Sequence, residues 1–162
     1  MDSKGDDMSD LDASAESAAQ KVVKELFAIL DEDLSDDVKE RALALFADDI
    51  VVRDWACPGL VVSGKHEVFG AFFEPAEIAF ADGVFETHDM FTSSNKVLMD
   101  ITFRAVFAKP YKGIPPHGRP ISYKSRDIYT VENGKITEMT FATDTLEFAK
   151  ALGITDVTFP WQ

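Results

Sequence analysis

The sequence predicts an α+β domain in which a strongly curved, mostly antiparallel sheet packs on helices. Three observations carry this. Val22, Val23, Leu26, Phe27, Ile29 and Leu30 recur at helical spacing in the first half of the chain. In the second half the apolar period is two: Val97, Met99, Ile101, Phe103, Ala105 and Phe107, then Ile121, Tyr123, Ser125, Asp127, Tyr129 and Val131. Finally, Asn133-Gly134 joins the last two runs, and both residues tolerate the positive φ of a type I′ hairpin turn. Helices followed by strands, without β-α alternation, specify α+β.

The elements follow in order. Residues 1–16 are small and acidic and read as a disordered tail, leaving one domain over 17–153 and a C-terminal tail over 154–162. The first helix keeps Lys21, Lys24 and Glu25 on its polar face and breaks at the turn Asp31 to Ser35. Ser35 is placed to N-cap a second helix, with Asp36 and Asp37 near its positive dipole end. That helix runs through Val38, Ala42, Leu45 and Phe46 and is expected to end at Asp48-Asp49. Ile50 to Trp55 is a short β-rich run stopped by Pro58-Gly59. A third helix fits 65–74, with Val68, Phe69, Phe72 and Phe73 on one side. Residues 78–91 are extended, with ambiguous periodicity. The strand from Val97 places Asp100 and Arg104 on its outer face as a weak surface pair. A Pro- and Gly-rich loop, Pro110 to Gly118, with His117 exposed, leads into the hairpin. A short helix over about 145–151 ends near Gly153, and Phe159 and Trp161 are expected to pack back on the domain.

Composition excludes several functions. A net charge of −13 offers no basic surface for nucleic acid. No apolar run approaches the ~20 residues that span a bilayer, and the acidic, polar N-terminus has neither signal nor transit character. The single Cys57 excludes an intramolecular disulfide, fits a reducing cytoplasm and reads as a small buried residue. His66, His88 and His117 lie far apart with no metal-ligand spacing, and no dinucleotide, phosphate-loop or nucleophile-elbow motif is present. No metal and no cofactor are therefore expected.

Three carboxylates remain as candidates. Strand parity turns Asp127 inward between two tyrosines, opposite a face bearing Lys124 and Arg126. Burial then raises its pKa and lets it serve as a proton or hydrogen-bond donor, or else it is structural and accepts from a Tyr hydroxyl or Arg126. Asp144 precedes the last helix and reads as its N-cap. Asp54 precedes Pro58-Gly59 and reads as an Asx-turn residue.

Several stretches together resemble a known family. Leu45 to Asp54, Gly64 to Phe72, Gly113 to Arg119, Asp127-Ile-Tyr, Glu132 to Glu138 and then Asp144 look like the SnoaL-like proteins. These belong to the nuclear transport factor 2-like superfamily, with ketosteroid isomerase, scytalone dehydratase and limonene epoxide hydrolase. The resemblance covers roughly 20–152 and implies a cone-shaped barrel with a central pocket, wrapped around three helices. It matches Asp144 to the acid/base aspartate of SnoaL-type polyketide cyclases, Asp54 to the base of ketosteroid isomerase and Asp127 to that enzyme's hydrogen-bond-donating aspartate. Leu26 stands where ketosteroid isomerase has its oxyanion Tyr. Ile101 and Phe103 replace the Arg and Asp of limonene epoxide hydrolase, which argues against epoxide hydrolysis.

Two functions follow. The first is a cofactor-independent isomerase, aldol cyclase or dehydratase acting on a small hydrophobic carbonyl compound, polyketide-like or steroid-like. Asp144 or Asp54 would take a proton, Asp127 with Tyr123 or Tyr129 would stabilise the enolate oxygen, and Trp55, Phe103, Phe107 and His88 would line the pocket. The alternative is a non-catalytic module of the same fold that binds a small ligand or a protein. The resemblance also implies a homodimer through the outer sheet face, near Asp100, Arg104, Lys124 and Arg126.

Overall fold

Caps and apolar stripes set the helical half of the molecule, seen in a computed structural model that describes residues 16–157. The expected acidic tail, apart from Glu16, and the expected packing of Phe159 and Trp161 fall outside those residues. Helix α1 (Ala18–Leu30) starts at a reciprocal cap: the Ser17 hydroxyl accepts from the Gln20 amide (3.1 Å), and the Gln20 side chain accepts from the Ser17 amide (2.8 Å). Its apolar stripe, Val23, Leu26, Phe27 and Leu30, is buried. Helix α2 (Asp36–Leu45) is capped by Ser35, which accepts from the Val38 amide at 3.2 Å.

Strand β1 (Phe46–Asp54) begins four residues earlier than the sequence pattern suggests, so Phe46 belongs to the strand and Asp48 and Asp49 do not end the helix. The β-rich signal over 46–49 is weak because the register shifts between Phe46 and Val51, leaving Asp48 and Asp49 exposed. Strand β2 (Val61–Ser63) pairs with β1, and three consecutive helical pieces follow: α3 (Lys65–Val68), a π turn (Phe69–Phe73) and α4 (Glu74–Ala79). The third helical segment is thus five residues longer than expected. Pro75 lies in the first turn of α4, where its missing N–H costs little.

The remaining strands are β3 (Phe80–Ser93), β4 (Lys96–Phe107), β5 (Pro120–Glu132) and β6 (Lys135–Phe141), and α5 (Thr145–Ala151) closes the described chain. Together the six strands form one curved, unclosed sheet ordered β2-β1-β6-β5-β4-β3. Among the described strands only β1 and β6 pair in parallel. The β5–β6 turn has φ of 51° at Asn133 and 75° at Gly134, as the Asn-Gly signal requires. Every residue predicted for the inner face of β4 is buried. The outer-face pair differs: Asp100 meets Arg126 across the strands (3.4 Å) and Arg104 meets Glu86 (2.9 Å), because cross-strand partners lie closer than residues four apart on one strand. His117 is half-buried rather than free. Its Nδ1 accepts from the Arg119 amide (3.1 Å), so Nε2 donates to the Ala151 carbonyl (2.8 Å), tying the Pro-rich loop to α5. Cys57 is exposed, because its turn after β1 projects outward.

The core has two apolar clusters. One centres on α1, β1 and the inner faces of β4 to β6. The other centres on Phe80, Phe103, Phe107, Ile121 and Leu152. No helix among the described residues is long and apolar enough to cross a membrane.

Candidate active site

Where the two clusters meet, the packing leaves a cavity of about 140 Å³. Its walls are largely aromatic, from the π turn (Phe72, Phe73), β3 (Phe85), β4 (Phe103), β6 (Phe141) and α5 (Phe148). The polar groups on that wall are few: Asp54, Glu77, Tyr111, Tyr123, Ser125, Asp127, Tyr129 and Thr143. An apolar pocket with a few convergent polar groups is the form of a small-molecule site.

Asp127 is 6% exposed, as its strand parity predicts. Its Oδ1 accepts from the Ser125 hydroxyl (2.5 Å) and from the Ala142 amide (3.2 Å). The Ser125 hydroxyl also lies 3.2 Å from the Thr143 hydroxyl, where an isolated bridge joins Ser125 to Thr143 beyond the end of β6. Burial pushes the Asp127 carboxyl up to about 6, against the two hydrogen bonds, which favour the carboxylate; the Asp54 charge raises it further. A carboxyl titrating near 6 exchanges a proton readily at neutral pH. Removing the Ser125 hydroxyl removes one of the two bonds that favour ionisation. In Ser125→Ala, Asp127 therefore titrates higher than in the parent chain, read as its carboxyl carbon shift against pH by NMR.

Asp54 reaches the same wall from the end of β1. Its Oδ1 accepts from the Ala56 amide (2.8 Å), so the Asx turn read from the sequence and a position on the cavity wall coexist. Tyr123 and Tyr129 flank Asp127 on the inner face of β5, and burial drives both phenols well above their ordinary value. They stay protonated at any physiological pH and serve as donors. Among the described residues no hydrogen bond reaches either hydroxyl. Tyr111, pushed up to about 12 by burial and then by the Asp54 charge, adds a third phenol.

Four predicted site residues lie elsewhere. Asp144 is exposed and outside the cavity wall; its Oδ1 accepts from the Glu147 amide at 2.9 Å, and the cap of α5 fixes its orientation. Trp55 is 64% exposed. Phe107 is fully buried against Phe80 and His117, past the cavity wall. On the outer face, His88 Nε2 lies 2.7 Å from the Thr102 hydroxyl. A register shift between Thr87 and Asp89 blurs the parity there.

Sequence reasoning missed Ser125, Thr143, Tyr111 and Glu77 as site residues. Ser125 was within reach, two residues from Asp127 on the same face. Glu77 was not, because it lies beyond the predicted end of the third helix, after a π turn that resets the helical face.

Comparison with known proteins bears on the fold. A protein from Jannaschia sp. CCS1, proposed to be a SnoaL-like polyketide cyclase, is 18% identical with a TM-score of 0.75, over 93% of this chain and 99% of that one. IdmH from Streptomyces antibioticus, proposed to be a polyketide cyclase, is 20% identical with a TM-score of 0.68, over 83% and 98%. TerC, solved with polyporic acid, is 14% identical with a TM-score of 0.63, over 85% and 99%. Among curated proteins, none matches in sequence. The SnoaL-like domain matches residues 23–139, most of the chain, and the chain belongs to that family.

Proposed function

We propose that the protein is a cofactor-independent acid–base enzyme that moves a proton next to the carbonyl of a small, largely apolar compound, in an isomerisation, aldol cyclisation or dehydration. The observation that carries this reading is Asp127: a carboxyl 6% exposed, titrating near 6, on the wall of an aromatic cavity beside tyrosine hydroxyls that no hydrogen bond reaches among the described residues. In this arrangement Asp127 takes the α-proton. The Tyr123 and Tyr129 hydroxyls donate to the oxygen on which charge develops, and a donor aimed at that oxygen acts more strongly in a dry site. Asp54, open to both the cavity and the turn, relays the proton. This assigns the base to Asp127 and the donors to the tyrosines, the reverse of what the ketosteroid isomerase resemblance implies. The proposed cyclase roles of the Jannaschia protein and IdmH support a carbonyl substrate. The test is solvent deuterium exchange into the methyl group of acetophenone, followed by NMR. Exchange faster than the buffer rate, lost in Asp127→Asn, is expected; exchange equal to the buffer rate overturns the reading.

A dimer through the outer sheet face accompanies this proposal. That face carries the Asp100–Arg126 and Arg104–Glu86 pairs, which would be covered on association. Light scattering behind size-exclusion chromatography should return twice the monomer mass of 17.9 kDa, and a monomer at high concentration removes it.

A further inference from the structure

Beside the cavity lies a second, more open hollow of about 440 Å³, formed by the α1–α2 turn and the start of β3. Leu30, Ala76, Glu77, Phe80 and Phe103 belong to both walls, so these residues stand between the inner cavity and the outer hollow. Among the described residues no Lys, Arg or His lines either space. The outer wall instead carries Asp31, Glu32, Asp33, Glu77 and Asp82. Of these, Glu32 is neutralised by Arg41 (2.7 and 2.8 Å), and among the described residues Asp31 accepts only a long bond from the Phe85 amide (3.4 Å). Among the described residues Glu77, Asp33 and Asp82 have no ion pair.

We propose that these shared residues form a throat between the two spaces, that the site selects a single-ring carbonyl compound whose outward substituent is neutral or cationic, and that Glu77 in the throat is the residue that rejects anionic substituents. The proposal rests on the carbonyl reading above and adds size and charge to it. Size follows from volume: a cavity near 150 Å³ holds about one benzene ring, and larger ligands require roughly 300 Å³ or more. Tyr129 supplies one polar end. It is 3% exposed and on the cavity wall, and among the described residues no hydrogen bond reaches its hydroxyl, which can donate to an acceptor such as a carbonyl. With the carbonyl at that end, a para substituent on the ring leaves through the throat, past Glu77. Burial and the charges of Asp31 and Asp33 bring the Glu77 carboxyl up to about 7, so above that pH it is ionised and a second anion there meets an already crowded negative field, while an ammonium group relieves it.

The test compares three aryl methyl ketones that differ only in the para substituent: aminoethyl, propyl and carboxyethyl. Isothermal titration calorimetry at about pH 8, where Glu77 is ionised, gives each Kd, with a four-ring steroid ketone as a size control. The aminoethyl ketone should bind at least about tenfold more tightly than the carboxyethyl ketone, with the gap shrinking at high ionic strength. Glu77→Gln should cut that ratio by about fivefold or more, and Asp33→Asn should reduce it in the same direction. Asp33→Asn also provides a reading should the throat variant fail to fold. Equal binding of the two charged ketones, a ratio unmoved by both substitutions, steroid binding as tight as that of the aryl ketones, or no binding of any of the three overturns the proposal. Calorimetry needs no turnover. Charge preference without deuterium exchange would overturn the enzyme reading alone, and exchange without charge preference would overturn this inference alone.

Discussion

Asp127→Asn should lower the rate of exchange by about 10²- to 10⁴-fold, the range a positioned acid–base group contributes. It should also raise stability above pH 6. Asparagine keeps an oxygen able to accept from Ser125 and the Ala142 amide, so the local bonds survive while the charge does not. The sign follows from linkage. The folded-state value, about 6, lies above the ordinary 3.8, so the folded state holds this proton more tightly than the unfolded chain does. The stabilisation is complete below about pH 4, declines as pH rises through the folded value and is gone above it. The shift of about 2 units corresponds to at most ~3 kcal/mol at pH 8. Urea unfolding of the parent and Asp127→Asn at pH 4 and pH 8 tests this. The variant should gain relative to the parent only at the higher pH, and its loss of exchange rate should likewise appear at the higher pH, because at the lower one the parent's own base is protonated. Equal stability gain at both values would remove the ionised, buried carboxylate from the account. A rise in stability joined to a loss of rate marks a group held against its solvation for a purpose.

Much of the sheet could be read in the sequence because its two controlling signals are local. Asn133-Gly134 fixes the β5–β6 turn by backbone conformation alone, and alternation along β4 and β5 fixes which side chains face the helices. The inward turn of Asp127 follows from that alternation without any tertiary information. What escaped is non-local or conformationally irregular. The π turn at Phe69–Phe73 shifts the helical face by one residue, so Glu77 enters the throat from a position that helical periodicity does not mark. Tyr111 approaches from an aperiodic loop held by its bridge to Ile114.

Asp54 and Asp144 show the limit of reading acids from sequence. Asp54 ends β1 and Asp144 follows β6 by three residues, both read as backbone-capping carboxylates, and both make the predicted local bond. They part because Asp54, at the end of β1, lines the cavity, whereas Asp144 starts α5 and faces solvent. Local hydrogen bonding is the same in the two cases; only tertiary position separates them. Sequence parity was decisive for Asp127 because it sits within a strand and not at its end.

Phe69→Ala should cost about 3–5 kcal/mol of stability, the range for deleting a buried aromatic ring. Phe69 is fully buried, its ring stacks near Phe73 (centroids 5.8 Å apart), and the Lys39 ammonium lies 5.3 Å from its centroid. Removing it leaves a void beneath the π turn, with Phe73 as the neighbour best placed to relax into it. Phe73 and Phe72 form the cavity wall through their contacts with Phe141, at 6.1 and 5.3 Å between centroids. The same substitution should therefore loosen that wall and weaken binding of the propyl aryl ketone while leaving the titration of Asp127, held from β5 and β6, in place. Thermal or urea unfolding gives the first quantity and calorimetry the second. A cost below about 1 kcal/mol would mean that the π turn collapses onto the space and that Phe69 is not what holds it. Phe107→Ala is the comparison: a ring equally buried but outside the cavity wall, whose loss should destabilise by a similar amount and spare ligand affinity. If both variants weaken binding equally, the effect comes from global loosening and not from the wall that the π turn supports.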